Sequence, residues 1–461
     1  MKIHFIAIGG SAMHNLAIAL HQQGHRVTGS DDEIFEPSKS RLQKYGLLPT
    51  TIGWHTSNIR QDLDAVILGM HAKKDNPELK KARELNLNIY SFPSYLYEHA
   101  KNKKRVVIGG SHGKTTITAM VLHALHYHKH NVDYMVGAQL QGFEVMVRLS
   151  DEADIMIFEG DEYLTSSLDP RPKFHIYKPD IALISGIAWD HFNVFPTLEN
   201  YIAQFKQFID MVPDNGAIIY YSGDDILHKL IKDYHGKAKQ IPYFIANYTN
   251  KAAHAIIQHQ GKSYPLEVFG DHNLKNLQGA MLICKELGMM ESQFLEAITT
   301  FKGASNRLEK IGENAQTKIF KDFAHSPSKV KATTEAVKYQ FEGHKLVAVL
   351  ELHTYSSLNK EFLSQYKGTM DTADIPIVFF NTHALELKRL PPLHKDHIYE
   401  AFENGNIQVF NKKNKLAAYL KSLEWKKKNL LLMSSGNFDG LDLETLKKQI
   451  LNPEKKGSIK H

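Results

Sequence analysis

The sequence has little of what would place a protein outside the cell or in a membrane. Cys284 is the only cysteine among 461 residues, so no disulfide can close within the chain. It lies in the apolar run 280–284 and is expected to be part of a helix core. No apolar run approaches the roughly 20 residues that span a bilayer. A strand expected over residues 3–8 starts almost at Met1 and runs straight into Gly9-Gly10, leaving no room for a signal peptide. The 26 histidines are scattered, and no His-x-x-x-His pattern with a supporting carboxylate indicates zinc. Internal repeats and long low-complexity stretches are absent. Excess charge is also slight: a formal net charge of +6 suits anionic small molecules as well as nucleic acid. The expectation is a soluble cytoplasmic protein with no membrane insertion. Oligomeric state is left open.

What is present is globular. Hydrophobic residues make up 43% and charged residues 23%, and the length suggests about three domains. The most informative stretch is Gly110-Ser111-His112-Gly113-Lys114-Thr115-Thr116. It follows the apolar run Val106-Val107-Ile108 and precedes a stretch, 116–126, that reads as a helix. Strand, glycine-rich turn and helix make a phosphate-binding loop: backbone N–H groups close around phosphate oxygens, and the helix N-terminus adds partial positive charge. Lys114 is expected to reach the outer phosphates of ATP and Thr115 to ligate Mg2+. The common spacing wants a glycine at 108, where Ile108 stands.

Three strand–glycine–helix openings organise the chain. The first is the strand ending in Gly9-Gly10-Ser11, then a helix over 13–22 stopped at Gly24, then a strand ending in Gly29-Ser30-Asp31. That resembles half of a Rossmann fold, with phosphate at the first turn and the Asp31 carboxylate near a ribose. Lys101-Asn102-Lys103-Lys104-Arg105 reads as a solvated linker before the second opening. A further boundary falls near 303–313, and later strands alternate with helices. The expected fold class is therefore α/β with three domains. They are a Rossmann-like domain over 1–100, a central P-loop domain with a mostly parallel sheet over 101–308, and a Rossmann-like α/β domain over 309–461.

Chemistry-bearing residues fall at expected strand ends, where open α/β sheets collect them. Glu159 follows the run 155–158 and is placed to hold Mg2+ against a nucleotide, with Asp161 and Glu162 nearby. Asp190-His191 follows another strand, and His191 is a candidate for a second metal or for substrate. Asn273 and Asn276 are candidates either for a base edge or for helix capping. Arg307, near the boundary, is a candidate for a terminal phosphate.

The ordered set Gly-Ser-His-Gly-Lys-Thr-Thr at 110–116, Glu-Gly-Asp-Glu at 159–162, Asp190-His191, Gly-Asp-His-Asn-x-x-Asn at 270–276, Asn306-Arg307 and Asp-Phe-Ala-His-Ser-Pro at 322–327 resembles the Mur ligases. These are three-domain, ATP-dependent amide-forming enzymes of bacterial cell-wall synthesis. With Gly9, Gly10, Ser11, Ser30, Asp31 and Asp75-Asn76-Pro77-Glu78, the N-terminal part looks like that of members taking UDP-N-acetylmuramate. One kind of such member adds L-alanine and another adds the peptide L-alanyl-γ-D-glutamyl-meso-diaminopimelate. Glu162-Tyr163, the run 169–174 and the run 433–440 look more like the second.

The resemblance implies phosphate contacts from residues 110–116, with Lys114, His191 and Arg307 catalytic. It implies metal ligands Thr115, Glu159 and His191, adenine contacts from Asn273 and Asn276, and a ribose contact from Asp322. It implies amine-substrate contacts from His325, His353, Tyr355 and Asn437. Departures also stand out. Ala7, Ala12 and Asn15 replace glycines usual in the first turn, Asn193 replaces an aspartate, and Leu352-His353-Thr354 replaces an arginine-bearing pattern. Phe205 stands where sister enzymes carry a carbamylated lysine. A kinase, or a non-catalytic nucleotide-sugar-binding regulator, are the rival readings.

Overall fold

A computed structural model describes residues 1–140, 142–189, 194–251, 254–304 and 307–452. The chain divides into two compact units, one of Met1–Ala246 with Lys275–Thr299 and the other of Asn247–Leu274 with the residues from Thr300 onward.

The first unit holds two sheets. The smaller is four parallel strands in the order Arg26–Ser30, Lys2–Ile6, Ala65–Leu68 and Ile89–Ser91. The larger has seven, in the order Lys239–Tyr243, Ala217–Tyr221, Ile181–Ile184, Lys104–Gly109, Ile155–Glu159, Asp133–Met135 and Val147–Arg148. All its pairs are parallel except the last, at the edge. Parallel strands covered on both faces read as continuous apolar runs. Val106, Val107 and Ile108 accordingly have no exposed surface. The aromatic residues Phe158, Phe174, Tyr177, Tyr201, Phe205 and Phe208 fill one side, with Phe158 stacked on Tyr177 at 4.1 Å. Each such ring contributes roughly 2–3 kcal/mol by leaving water.

The second unit holds a three-stranded antiparallel sheet, Thr249–Lys251, His254–His259 and Lys262–Leu266. It also holds a six-stranded sheet in the order Glu309–Glu313, Lys318–Asp322, Lys428–Met433, Lys345–Leu352, Ile375–Phe380 and Gln408–Phe410. Only the first pair of that sheet is antiparallel. The mixed α/β architecture with mostly parallel sheets is the one expected from the sequence. Among the described residues no helix is long and apolar enough to cross a membrane.

Local signals set the helix starts. Asn76 accepts hydrogen bonds from the N–H groups of Glu78 and Leu79, and Pro77 follows at the first helical position. Thr197 and Asp224 cap the helices Leu198–Asp210 and Asp225–Lys232 in the same way. The phosphate-loop helix begins earlier than the sequence suggests and spans Lys114–Tyr127.

The basic run at 101–105 is a solvated link only in part, with Lys101, Asn102 and Lys104 exposed and Lys103 and Arg105 half-buried. Its last residues begin the strand Lys104–Gly109. Lys103 Nζ donates to Asp133 Oδ2 at 2.7 Å, and the Arg105 guanidinium donates to Asp180 Oδ1 at 3.0 Å and to the Lys178 carbonyl at 2.8 Å. Carboxylates distant in sequence pair with Lys103 and Arg105, which a local count of charge cannot register.

Candidate active site

The phosphate loop forms where the central strand Lys104–Gly109 meets the helix Lys114–Tyr127. Gly110 has φ +117°, and a Cβ there would lie 2.3 Å from Ser185 Oγ. Gly113 has φ +83°, and a Cβ there would lie 2.3 Å from Asn276 Oδ1. Both positions need glycine for conformation and for space. The turn is braced by Ser111 N–H on the Gly186 carbonyl at 3.0 Å and by the Ser185 hydroxyl on the His112 carbonyl. The His112 ring nitrogen Nδ1 lies 2.7 Å from the Ser111 carbonyl, and Thr116 is buried in the first turn.

Lys114 stands at the helix start. Its Nζ donates to the Gly110 carbonyl and to Glu162 Oε2, each at 2.7 Å. An ammonium has three donors, so one remains for a phosphate oxygen. Burial pulls the lysine pKa down. The attraction of Glu162, Asp161 and Glu159 outweighs that, and Lys114 stands above its ordinary value, fully charged at neutral pH.

Thr115 Oγ1 donates to Glu159 Oε1 at 2.7 Å, and Glu159 Oε2 accepts from Gly137 N–H at 2.9 Å. A hydroxyl and a carboxylate side by side next to a phosphate loop are the hard oxygen donors that magnesium takes together with nucleotide phosphates and water. The donor set fits Mg2+. Among the described residues no group of three or more His, Cys, Asp or Glu side chains is arranged to hold a metal, and a magnesium nucleotide site needs none. His191, expected at a second metal, lies outside the described residues, as do Asn193 and Asn306.

Asn276 is buried against Gly113, and its Oδ1 has no hydrogen-bond partner among the described residues. Its place is beside the phosphate loop. Asn273 is buried in the same helix, Asp271–Glu286, and its Nδ2 donates to the Phe269 carbonyl at 2.9 Å. Neither residue caps the helix, the alternative that the sequence left open.

At the end of the four-stranded sheet, Gly9, Gly10, Ser11 and Asp31 come together. Gly9 N–H donates to Asp31 Oδ2 at 2.7 Å. Burial raises the Asp31 carboxyl above its usual value, and the Gly9 N–H opposes it. Gly10 precedes the helix Ser11–Gln22, and Ser11 is exposed at its start. Ser30 is directed elsewhere: its hydroxyl donates to the buried Glu78, which also accepts from His55 N–H at 2.8 Å. Ala7 holds φ +70°, a left-handed conformation normally left to glycine. Asn15 accepts from Met146 N–H at 2.9 Å, tying the first helix to the edge of the larger sheet.

In the second unit, Asp322 ends the strand Lys318–Asp322 and accepts from the N–H groups of Leu308 and Ala324. Burial raises its pKa, and the Arg307 guanidinium is the main opposing influence. Arg307 lies over the Phe323 ring at 4.6 Å. Asp322 ends its strand and His353 and Asn437 follow the adjacent parallel ones, so the three share one end of the sheet. His325 Nδ1 lies 2.8 Å from the Phe323 carbonyl, and Asn437 Oδ1 accepts from Gly440 N–H at 3.1 Å. A Cβ on Gly436 would meet the His353 ring at 2.8 Å. Tyr355 is exposed, with Lys388 Nζ 4.7 Å from its ring centroid.

Sequence reasoning did not single out Ser185 or Tyr201, both of which touch the loop or its supports. Ser185 follows the apolar strand 181–184, a strand-end signal that was there to be read. Tyr201 falls on the apolar face of a helix and carries no local signal.

A phosphate loop with a charged lysine, backed by a threonine–glutamate oxygen pair at the neighbouring strand end, defines an enzyme that uses a nucleoside triphosphate. The Mur ligase family catalytic domain matches residues 2–104, and the Mur ligase middle domain matches residues 108–284. A UDP-N-acetylmuramate–L-alanine ligase from Sulfurihydrogenibium sp. is 31% identical, the alignment covering 82% of each chain. A UDP-N-acetylmuramate–L-alanyl-γ-D-glutamyl-meso-2,6-diaminoheptandioate ligase from Haemophilus influenzae is 26% identical over 97% of this chain and 98% of that one. The crystal structure of a UDP-N-acetylmuramate–alanine ligase from Thermotoga maritima superposes with a TM-score of 0.70, at 21% identity and 98% coverage of both chains. The chain belongs to the Mur ligase family and is an ADP-forming acid–amino-acid ligase.

Proposed function

We propose that the protein joins the lactyl carboxylate of UDP-N-acetylmuramate to the amine of L-alanyl-γ-D-glutamyl-meso-diaminopimelate, using ATP, in cytoplasmic recycling of cell-wall peptide. The observation that carries the ligase chemistry is the phosphate loop with Lys114 charged and Thr115 set on Glu159. The runs 162–163, 169–174 and 433–440 favour the peptide as amine. L-alanine is the second reading, because relatives named for each amine match this chain at similar identity.

A carboxylate is a poor electrophile, so it must first gain a leaving group. One lactyl oxygen attacks the γ-phosphorus, ADP departs, and an acyl phosphate forms. The amine then attacks the acyl carbon, phosphate leaves, and the amide remains. Lys114 donates to the transferring phosphoryl group with the N–H that the protein leaves free. Thr115 and Glu159 would hold Mg2+, which supplies positive charge against the phosphates. Asn273 for adenine, Asp322 for ribose, Arg307 for the transferring phosphate and His191 for a second metal are proposed roles. Gly9, Gly10, Ser11, Ser30 and Asp31 are proposed for the UDP-sugar, and His325, His353, Tyr355 and Asn437 for the amine. The three-domain division at about residues 100 and 308 is proposed with them.

The test is ADP release with UDP-N-acetylmuramate and either L-alanine or the tripeptide. Tripeptide-dependent release with formation of the amide is the expected result. Release with L-alanine alone supports the second reading, and release with neither amine refutes both.

A further inference from the structure

Behind the phosphate loop lies a directed chain of hydrogen bonds. Tyr201 Oη donates to Glu162 Oε1 at 3.2 Å, and Lys114 Nζ donates to Glu162 Oε2 at 2.7 Å. A phenol has one proton, so the Tyr201 oxygen is left to accept, and the Ser111 hydroxyl at 2.9 Å donates to it. Ser111 Oγ in turn accepts from Ala188 N–H at 2.8 Å. Every donor points toward one carboxylate. Glu162 and Tyr201 have almost no exposed surface, so the chain is shielded from water. The Tyr201 ring is held between Phe195 and Phe205, with centroids 5.3 and 5.2 Å away.

The chain links four segments: the phosphate loop through Ser111 and Lys114, the loop after the strand Ile181–Ile184 through Ala188, the helix Leu198–Asp210 through Tyr201, and the loop after Ile155–Glu159 through Glu162. Lys114 alone could swing on four rotatable bonds. A buried carboxylate, itself fixed from the opposite side by a packed phenol, holds the ammonium beside the Gly110 carbonyl before any nucleotide arrives. We propose that Glu162 and Tyr201 are positioning residues that preorganise Lys114 and the phosphate loop to receive the triphosphate. The proposal rests on the reading that this loop takes ATP, and it is independent of which amine is joined.

Tyr201→Phe keeps the ring and its packing and removes the proton that the phenol donates to Glu162. ATP affinity, measured by calorimetry, and KM for ATP are expected to weaken about tenfold, the scale of one hydrogen bond to a charged group. KM for the sugar nucleotide and the melting temperature should stay near wild-type values. Ser111→Ala cuts the chain at its other end and is expected to weaken ATP binding in the same direction. Unchanged ATP affinity in Tyr201→Phe overturns the proposal. So does a parallel loss of ATP binding, sugar-nucleotide binding and melting temperature, which marks a merely structural role. If wild type binds ATP, Tyr201→Phe binds it weakly and no amine is joined, the positioning role stands and the substrate reading fails. If wild type does not bind ATP, both fail.

Discussion

Gly113→Ala tests how tightly the phosphate loop is built against the helix beneath it. A Cβ at this position would lie 2.3 Å from Asn276 Oδ1, 3.0 Å from its Cγ and 3.2 Å from its Nδ2. Ordinary contact is about 3.5 Å, so Asn276 must retreat by about 1 Å. It is only 4% exposed, so the retreat must displace packed neighbours. Overpacking of this kind costs about 1–3 kcal/mol, and an alanine at φ +83° costs roughly 1–2 kcal/mol more. The expected loss is therefore about 2–5 kcal/mol. Asn276→Ala alone should be nearly neutral, because it removes a buried oxygen without a partner among the described residues as well as packing volume. In the double variant the collision is gone and only the backbone strain remains. Gly113→Ala should then cost about 1–3 kcal/mol less in the Asn276→Ala background than in wild type. Urea unfolding and ATP calorimetry on the four proteins give the cycle. Strictly additive losses, or a stable ATP-binding Gly113→Ala single variant, would refute the steric reasoning.

Two further outcomes follow from other parts of the first unit. Glu159→Gln keeps an oxygen for the Thr115 hydroxyl but loses the charge. It should therefore fold normally while needing at least tenfold more Mg2+ for ADP release, on the order of one lost charged ligand; an unchanged magnesium titration would contradict this. Asp133 is fully buried, yet hydrogen bonds from His99, Lys103 and Ser150 outweigh the cost of burial and hold its carboxyl below the usual range. Its stabilisation is present above the unfolded carboxyl's pKa of about 4 and is lost as pH falls through the lower folded value. Asp133→Asn should cost about 3 kcal/mol at pH 7 and flatten the acid limb of stability, read from urea midpoints between pH 7 and pH 3.

What the sequence made legible was contiguous, and what it hid was joined across the chain. The seven residues of the phosphate loop carry their own geometry, and the place of Glu159 could be read because it ends a contiguous apolar strand. Tyr201 could not, because its partners Ser111 and Glu162 lie 90 and 39 residues away and its helix places it among apolar neighbours. Ser30, expected at a sugar-binding turn, donates its hydroxyl to Glu78, 48 residues on. Asn15 looked like a missing glycine. It is a tie to Met146, 131 residues away, and a glycine there would leave that N–H without the partner. Most buried polar groups are paired, and long-range pairing is what a local pattern does not encode.

The isoleucine at 108 shows the same logic inside the loop itself. A glycine there is common in phosphate loops, and its absence read as a blemish. Ile108 is a buried strand residue in register with Glu159 on one side and Leu183 on the other, and its carbonyl accepts from Gly160 N–H at 2.8 Å. The strand therefore runs to Gly109, and the left-handed turn begins only at Gly110. That register brings the end of the Glu159 strand level with the start of the turn. From there, a turn of four residues brings the chain to the first turn of the helix and sets Thr115 within 2.7 Å of the Glu159 carboxylate. A glycine at 108 would weaken the strand at the point that fixes this level. The departure from the common spacing is thus part of how the hydroxyl of Thr115 and the carboxylate of Glu159 are aligned.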